Sequence, residues 1–252
     1  MKYIIFDLDD TLLNKEKQIT SFTFDVLKRY QAHGHKLVIN TARNLQTTSH
    51  IIDELQCDYT ILNGGSLIVD RDKKVIYECT IDESTSDALL QELKELAINK
   101  GLRAESVDGL YSWNVDRTPG PSIHFDFNNP LNKKCYKILI GCREHGKLTE
   151  LADKYGLLYT PYYKGDWGRF TRIEATKWLG VTSLLDIING DVKDTITFGD
   201  DIGDIEMLQN AGIGVCVSNS QPSVLAVIKN VTSASYEDGV AKYLLENVSL
   251  DS

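Results

Sequence analysis

Cysteine, proline and basic residues are all scarce in this chain, and each shortage removes a class of protein. The five cysteines (Cys57, Cys79, Cys135, Cys142 and Cys216) are odd in number, and no two stand in the CxxC spacing of a zinc or redox site. They read as reduced, mostly buried thiols of a cytoplasmic protein, not as a disulfide framework. Only five prolines punctuate 252 residues, with no internal repeat or low-complexity tract. Basic residues number 27 against 36 acidic ones, for a formal charge of -9. That balance speaks against a nucleic-acid or anionic-membrane surface, while leaving room for a local basic pocket that holds one small anion. No segment approaches the roughly 20 apolar residues of a membrane span. The opening run MKYIIFDLDD is broken at Asp7, too early for a signal peptide. No GxGxxG follows the first apolar run, which argues against a Rossmann-type dehydrogenase.

What remains is ordinary globular material. Hydrophobic residues make up 42% and charged residues 25%, and a chain of this length can bury a core without disulfides. Tyr3 to Phe6 reads as a strand covered on both faces. Thr20 can cap a helix carrying Phe22, Val26, Leu27 and Tyr30, with Gly34 as its terminator. Lys36 to Ile39 is the next strand, a helix follows from about Leu45, and Tyr59 to Leu62 is a third strand. The last third repeats this texture, with strands at Thr195 to Phe198 and Ile213 to Val217 and a short helix around Ile205 to Leu208. Pro222 begins a helix expected to run through Ile228, and Val240 to Leu245 supports a terminal one. Such alternation predicts an α/β fold with a doubly wound parallel sheet. The middle third differs. Turn clusters such as Thr118-Pro119-Gly120-Pro121 and Asn128-Asn129-Pro130 separate alternating segments at Ser122 to Phe127 and Lys137 to Ile140, after a helix with Leu89, Leu90, Leu93 and Leu96. The expected organisation is therefore a core built from residues 1–80 and 173–252, with an inserted α+β cap at 81–172.

Several core strands end in a polar residue: Asp7, Thr41, Asn63, Asp200 and Asn219 each follow an apolar run. In an open parallel sheet these positions gather along one carboxyl edge, where ligands bind. A single polar strand end is commonplace; five with this chemistry point to a site. DLDDT holds Asp7 and Asp9 two residues apart, and GDDIGD holds Asp200, Asp201 and Asp204. Carboxylates held this close repel one another unless a cation or proton intervenes. Magnesium suits them, because it takes oxygen ligands and accepts phosphate oxygens.

In this order the motifs resemble the haloacid dehalogenase (HAD) superfamily of phosphatases, and within it the Cof-like branch, subfamily IIB. DLDDT resembles the first motif, INTAR the second, Lys177 in RIEATKWL the third and GDDIGDIEML the fourth. NAGIGVCVSNSQPSV and EDGVAKYL resemble that branch as well. The likeness covers roughly 1–80 and 170–247 and is weak across the insertion. Departures stand at Ala42 and Trp178, where the family usually has Gly, and at Gly203, where it usually has Asn.

The resemblance implies a Rossmann-type HAD-like core and a cytoplasmic, Mg2+-dependent phosphatase acting on small phosphorylated metabolites, with sugar phosphates foremost. Asp7 is then the nucleophile that forms an aspartyl phosphate, and Asp9 the general acid and base. Mg2+ is held by Asp7, the backbone carbonyl of Asp9 and Asp200, with Asp204 orienting a metal-bound water. Thr41 and Lys177 hold phosphate oxygens. Arg43 either reaches substrate or braces the Thr41 loop. Lys177 has a plainer alternative as a solvated lysine at a helix start. Asn63, Asn219, Trp113 and Arg169 are candidate substrate contacts, with Arg117 and Trp167 beside them in the cap. The plainer alternative is packing for the tryptophans and solvated surface for the arginines. The five histidines lack ligand spacing. Alternatives to hydrolysis are a phosphomutase on the same fold and a non-catalytic phosphometabolite-binding protein. Neither a nucleic acid nor a membrane is an expected partner, and the sequence leaves the oligomeric state open, a monomer among the states it allows.

Overall fold

A run of four apolar residues, Tyr3–Phe6, forms β1 and is buried throughout. The computed structural model describes residues 1–97, 101–115, 118, 120–162 and 166–250, so Arg117 lies outside the described residues. In chain order β1 is followed by α1 (Ser21–Ala32), β2 (Lys36–Asn40), α2 (Leu45–Leu55), β3 (Tyr59–Leu62), β4 (Leu67–Asp70) and β5 (Val75–Glu78). Next come α3 (Glu83–Leu96), β6 (Leu102–Ser106), β7 (Gly109–Trp113), β8 (Ile123–His124), β9 (Cys135–Ile140), α4 (His145–Tyr155), β10 (Leu157–Pro161) and β11 (Gly168–Arg172). The chain closes with α5 (Lys177–Ile188), β12 (Thr195–Gly199), α6 (Ile205–Asn210), β13 (Ile213–Val217), α7 (Pro222–Leu225), β14 (Val231–Thr232) and α8 (Gly239–Asn247). Two units result: Met1–Tyr77 with Thr176–Ser252, and Glu78–Ala175.

The first unit is an α/β sandwich around a sheet ordered β14-β13-β12-β1-β2-β3-β4-β5. From β14 to β3 all neighbours run parallel, and β4 turns back antiparallel to β3. Side chains alternate across the strands, and the packing follows that period. Ile4, Phe6, Leu37 and Ile39 join Val26 and Leu27 of α1, Ile51 of α2 and Leu244 of α8 on one side. Tyr3, Ile5, Val38 and Ile61 join Val181 and Leu184 of α5 and Met207 of α6 on the other. Thr20 caps α1 by accepting from the Thr23 amide at 3.1 Å, and Gly34 follows the helix at φ 91°.

The second unit has its own sheet, ordered β10-β11-β9-β6-β7-β8, antiparallel except for the short β7/β8 pair. Leu102, Ala104, Ile138, Ile140 and Phe170 face α3 and α4, meeting Leu89, Leu93 and Leu148 there. The segment expected as a strand over Ser122 to Phe127 pairs only at Ile123–His124, an exposed edge between Pro121 and the Asn128-Asn129-Pro130 turn. The helix at Pro222 ends at Leu225, short of Ile228. Among the described residues, no helix is long and apolar enough to cross a membrane.

Candidate active site

The sheet register places the carboxylates before any side chain is considered. Phe6 of β1 lies beside Phe198 of β12 and Ile39 of β2, and the Asp7 amide continues the ladder by donating to the Phe198 carbonyl at 3.0 Å. Asp200 sits one residue past β12. Gly199 lets the chain double back tightly, since a Cβ there would lie 2.5 Å from Cβ of Asp204. Asp204, at the end of a 3-10 turn over Ile202–Asp204, accepts at Oδ2 from the amides of Asp200 and Asp201, each at 3.1 Å. The result is a buried group in which carboxylate oxygens of Asp7, Asp200 and Asp204 all lie within 4.8 Å of one another.

Lys177 opens α5, whose N-terminus Thr176 caps by accepting from the Leu179 amide at 3.1 Å. Its ammonium is buried, 2.9 Å from Asp7 Oδ1 and 2.6 Å from Asp204 Oδ1. The two plain readings of this lysine separate here: it is a buried partner of carboxylates, not a solvated side chain. Thr11, from the DLDDT run, donates to Asp200 Oδ1 at 2.7 Å.

Burial pushes the Asp7 carboxyl well above its ordinary range; Lys177 pulls it down, and Asp204, Asp200 and Asp201 push it up. Asp200 is raised to about 7 by burial first, against the Thr11 hydrogen bond, and further by Asp204 and Asp201. Asp204 is raised by burial despite Lys177. Burial opposes the charge on Lys177, but Asp204 and Asp7 outweigh it and raise the ammonium pKa. Three carboxylates against one ammonium leave a surplus of negative charge among hard oxygen donors. A small divalent cation such as Mg2+ fits that donor set and that charge.

Asp9 is held differently. Arg43 grips it bidentately, with Nε on Oδ2 and Nη2 on Oδ1, both at 2.7 Å, and Lys17 approaches at 3.2 Å. Partial burial pulls the Asp9 carboxyl upward, but these contacts outweigh it and leave the pKa below its ordinary value. Asp10 adopts φ 60°, a left-handed conformation that Asp tolerates better than most residues. Its carbonyl accepts from Asn219 Nδ2 at 2.7 Å, while Asn219 Oδ1 accepts from the Ser235 amide at 2.7 Å. Asn219 thus has both polar ends engaged within the fold.

Thr41 is buried at the end of β2, and its hydroxyl accepts from the Arg43 amide at 3.2 Å. Asn63, left-handed at φ 53°, donates its amide to the Arg43 carbonyl at 2.9 Å, and the next residue's amide reaches Thr41. The Oδ1 of Asn63 is buried and has no hydrogen-bond partner among the described residues. At Gly203 the backbone does not require glycine; a Cβ there would meet Asp201 Oδ1 at 3.1 Å.

In the second unit, Trp113 packs edge-on against Phe127, centroids 5.1 Å apart, in the cluster beneath the helices. Arg169 lies opposite Leu139 on the other face of that sheet. One contributor escaped the sequence reading. Asn40 is fully buried, and its Nδ2 donates to the Lys177 carbonyl at 3.0 Å, tying β2 to the start of α5. The available signal was a polar residue closing the apolar LVI run of the KLVIN strand.

Known proteins resemble this chain along most of its length. A family model described as haloacid dehalogenase-like hydrolase matches residues 4–244. The 5-amino-6-(5-phospho-D-ribitylamino)uracil phosphatase YitU of Bacillus subtilis is 25% identical, with 98% of this chain and 97% of that protein covered. Phosphatase YwpJ of Bacillus subtilis is 23% identical, with 97% and 100% covered. Among solved structures, the phosphatase BT1666 of Bacteroides thetaiotaomicron superposes with a TM-score of 0.84 at 24% identity, covering 98% of this chain and 94% of that one. The subclass IIB sugar phosphatase BT4131 gives 0.82 at 22% identity, with 98% of each chain covered. The structural likenesses establish the fold.

Proposed function

Because the chain belongs to the haloacid dehalogenase-like hydrolases and is a phosphatase, we propose that it hydrolyses phosphate monoesters of small metabolites, foremost sugar phosphates, in a Mg2+-dependent reaction. The observation that carries this reading is the convergence of Asp7, Asp200 and Asp204 around the Lys177 ammonium. Asp7 attacks phosphorus, and the leaving alkoxide departs opposite, giving an acyl phosphate that water hydrolyses. Lys177 holds phosphate oxygens and pulls the Asp7 pKa down against the burial that raises it. Asp204 spends both oxygens fixing Lys177 and the loop after β12, so its part is positioning. Asp7, Asp200 and the Asp9 carbonyl would hold Mg2+, which when bound supplies positive charge to offset the crowded carboxylates and the substrate dianion.

Asp9 serves as acid and base. Gripped by Arg43 it is ionised and ready to accept a proton from water; to give one to a leaving group it must first leave that grip and take up a proton from solvent. Thr41 holds a phosphate oxygen, and Arg43 and Asn63 shape the loop around it. The inserted unit selects among esters. The likenesses to a sugar phosphatase and to a ribitylaminouracil phosphatase support a small phosphorylated metabolite as substrate. A panel of such esters tests the proposal. Turnover should vanish in EDTA, return with Mg2+, and vanish in Asp7→Asn without loss of fold. Full activity in chelator, or substantial activity in Asp7→Asn, would refute it.

A further inference from the structure

Two stretches that the phosphatase chemistry leaves unused, NAGIGVCVSNSQPSV and EDGVAKYL, meet beside the DLDDT turn. Asn219 of the first sits in the turn between β13 and α7, which closes with the Ser220 amide donating to the Val217 carbonyl at 3.0 Å. That turn touches both loops that carry the candidate carboxylates. Asn219 Nδ2 donates to the Asp10 carbonyl at 2.7 Å, and the Gln221 amide donates to the Asp200 carbonyl at 2.9 Å. The segment ahead of α8 backs Asn219 from the other side. Its Ser235 amide, opening a 3-10 turn over Ser235–Glu237, donates to Asn219 Oδ1 at 2.7 Å. Asp238 Oδ1 accepts from the hydroxyls of Thr20 and Thr23, the latter at 2.9 Å, and the Lys15 ammonium lies 3.9 Å from the Tyr236 ring centroid. The stretch from Asp10 to Thr23 is thus pinned at both ends and in its middle by residues from the far end of the chain.

The turn needs such holding. Asp9 is extended at φ -71°, ψ 124°, and Asp10 is left-handed at φ 60°, ψ 9°. A left-handed residue other than glycine persists where its surroundings over-determine it. The Asp9 carbonyl and the Asp10 carbonyl belong to consecutive rigid peptide planes, hinged only at Asp10. Gripping the second plane therefore limits where the first can point. Asparagine suits the task because its planar amide offers a donor and an acceptor at once. Its partners, one N–H and one carbonyl, settle which end is which. Aspartate could not donate to Asp10, and leucine could neither donate nor accept.

We propose that Asn219 is a positioning residue of the phosphatase reaction. Through the Asp10 carbonyl it fixes the turn that presents Asp9, and through the backbone of its own turn it keeps that loop in register with Asp200. The 235–238 segment is the abutment, so EDGVAKYL acts on the site without entering it. The proposal rests on the reading in which the Asp9 carbonyl and Asp200 help to hold Mg2+. Groups one step removed from a metal's ligands typically set roughly 10–100-fold in affinity or activity.

Asn219→Ala and the near-isosteric Asn219→Leu test it. Free of metal, both should show faster amide hydrogen exchange in peptides covering residues 8–20, with exchange over residues 102–113 of the inserted unit unchanged. Titrated with Mn2+ and followed by electron paramagnetic resonance of the free ion, both should bind roughly 10-fold or more weakly than wild type. At a fixed, subsaturating Mg2+ concentration kcat should fall by a similar factor while KM for the ester holds, and raising Mg2+ should recover part of the loss. Ser235→Pro deletes the amide that backs Asn219 and follows an extended Ala234 at φ -62°, ψ 156°. It should move the same readouts the same way by less. A cross-link that only stabilises the fold would lower the melting temperature and leave Mn2+ affinity and kcat as they were. That result, or unchanged exchange over residues 8–20, would overturn the proposal. A wild type that binds no Mn2+ would overturn instead the metal reading beneath it.

Discussion

At the scale of single residues, Lys177 is a buried ammonium held between Asp7 and Asp204. Replacing it with methionine would leave Asp7 and Asp204 facing each other in a buried space with no ammonium between them. Breaking a buried pair in this way typically costs about 3–5 kcal/mol. The Lys177→Met variant should therefore melt well below wild type at neutral pH and lose turnover. The deficit should shrink as pH falls, because Asp7 and Asp204, already raised, take up protons and shed the repulsion. Melts in chelator from about pH 5 to about pH 8 check this.

Asp200 gives a second dependence with its own sign. In the folded chain it ionises at about 7, whereas an unfolded aspartate does so near about 3.9. Between those values the folded state keeps a proton that the unfolded state has lost, so stability falls as pH rises through the window. In EDTA, Asp200→Asn should lose less stability over that range than wild type does. Parallel melting curves for the two proteins would contradict the assignment.

At the scale of elements, catalysis depends on how α5 is seated. Gly65, at φ 110°, follows β3, and a Cβ there would fall 2.1 Å from the Thr176 carbonyl oxygen. Gly180, one turn into α5, has room for no Cβ either, since one would lie 2.7 Å from Ile61 Cγ2. Helix and turn touch backbone to backbone. Gly65→Ala should lower stability by about 1–3 kcal/mol and reduce kcat more than KM, because Thr176 and Lys177 are displaced together. Thermal melts and steady-state kinetics on one ester measure both effects.

What was legible in the chain follows from the same geometry. Asp7 and Asp200 could be read because continuous apolar runs, YIIF and TITFG, lead straight into them, and a parallel sheet aligns such ends. Asn40 could not, since its bond to the Lys177 carbonyl joins residues far apart in the chain. The helix over His145–Tyr155 lacked a start signal: Glu144 makes no side-chain capping bond there. The strands Leu67–Asp70 and Val75–Glu78 are four residues each, and the second is largely exposed, so neither shows a clear period. The ties from Asn219 to Asp10 and Ser235 join three separated loops, a relation no local pattern carries.

At the scale of the molecule, the inserted unit is one continuous stretch with its own sheet and its own apolar cluster. Residues 78–175 expressed alone should therefore melt cooperatively, as followed by circular dichroism. A featureless melt would mean that this cluster cannot sustain itself.

The first unit has no such independence along the chain. Its central strand β1 needs β2 on one flank and β12 on the other, and those partners lie on opposite sides of the insertion. During synthesis on a ribosome, the early segment emerges with one edge of β1 open and keeps it open while the whole insertion is made. That waiting edge is where a chaperone, or a strand from another nascent chain, would find its template.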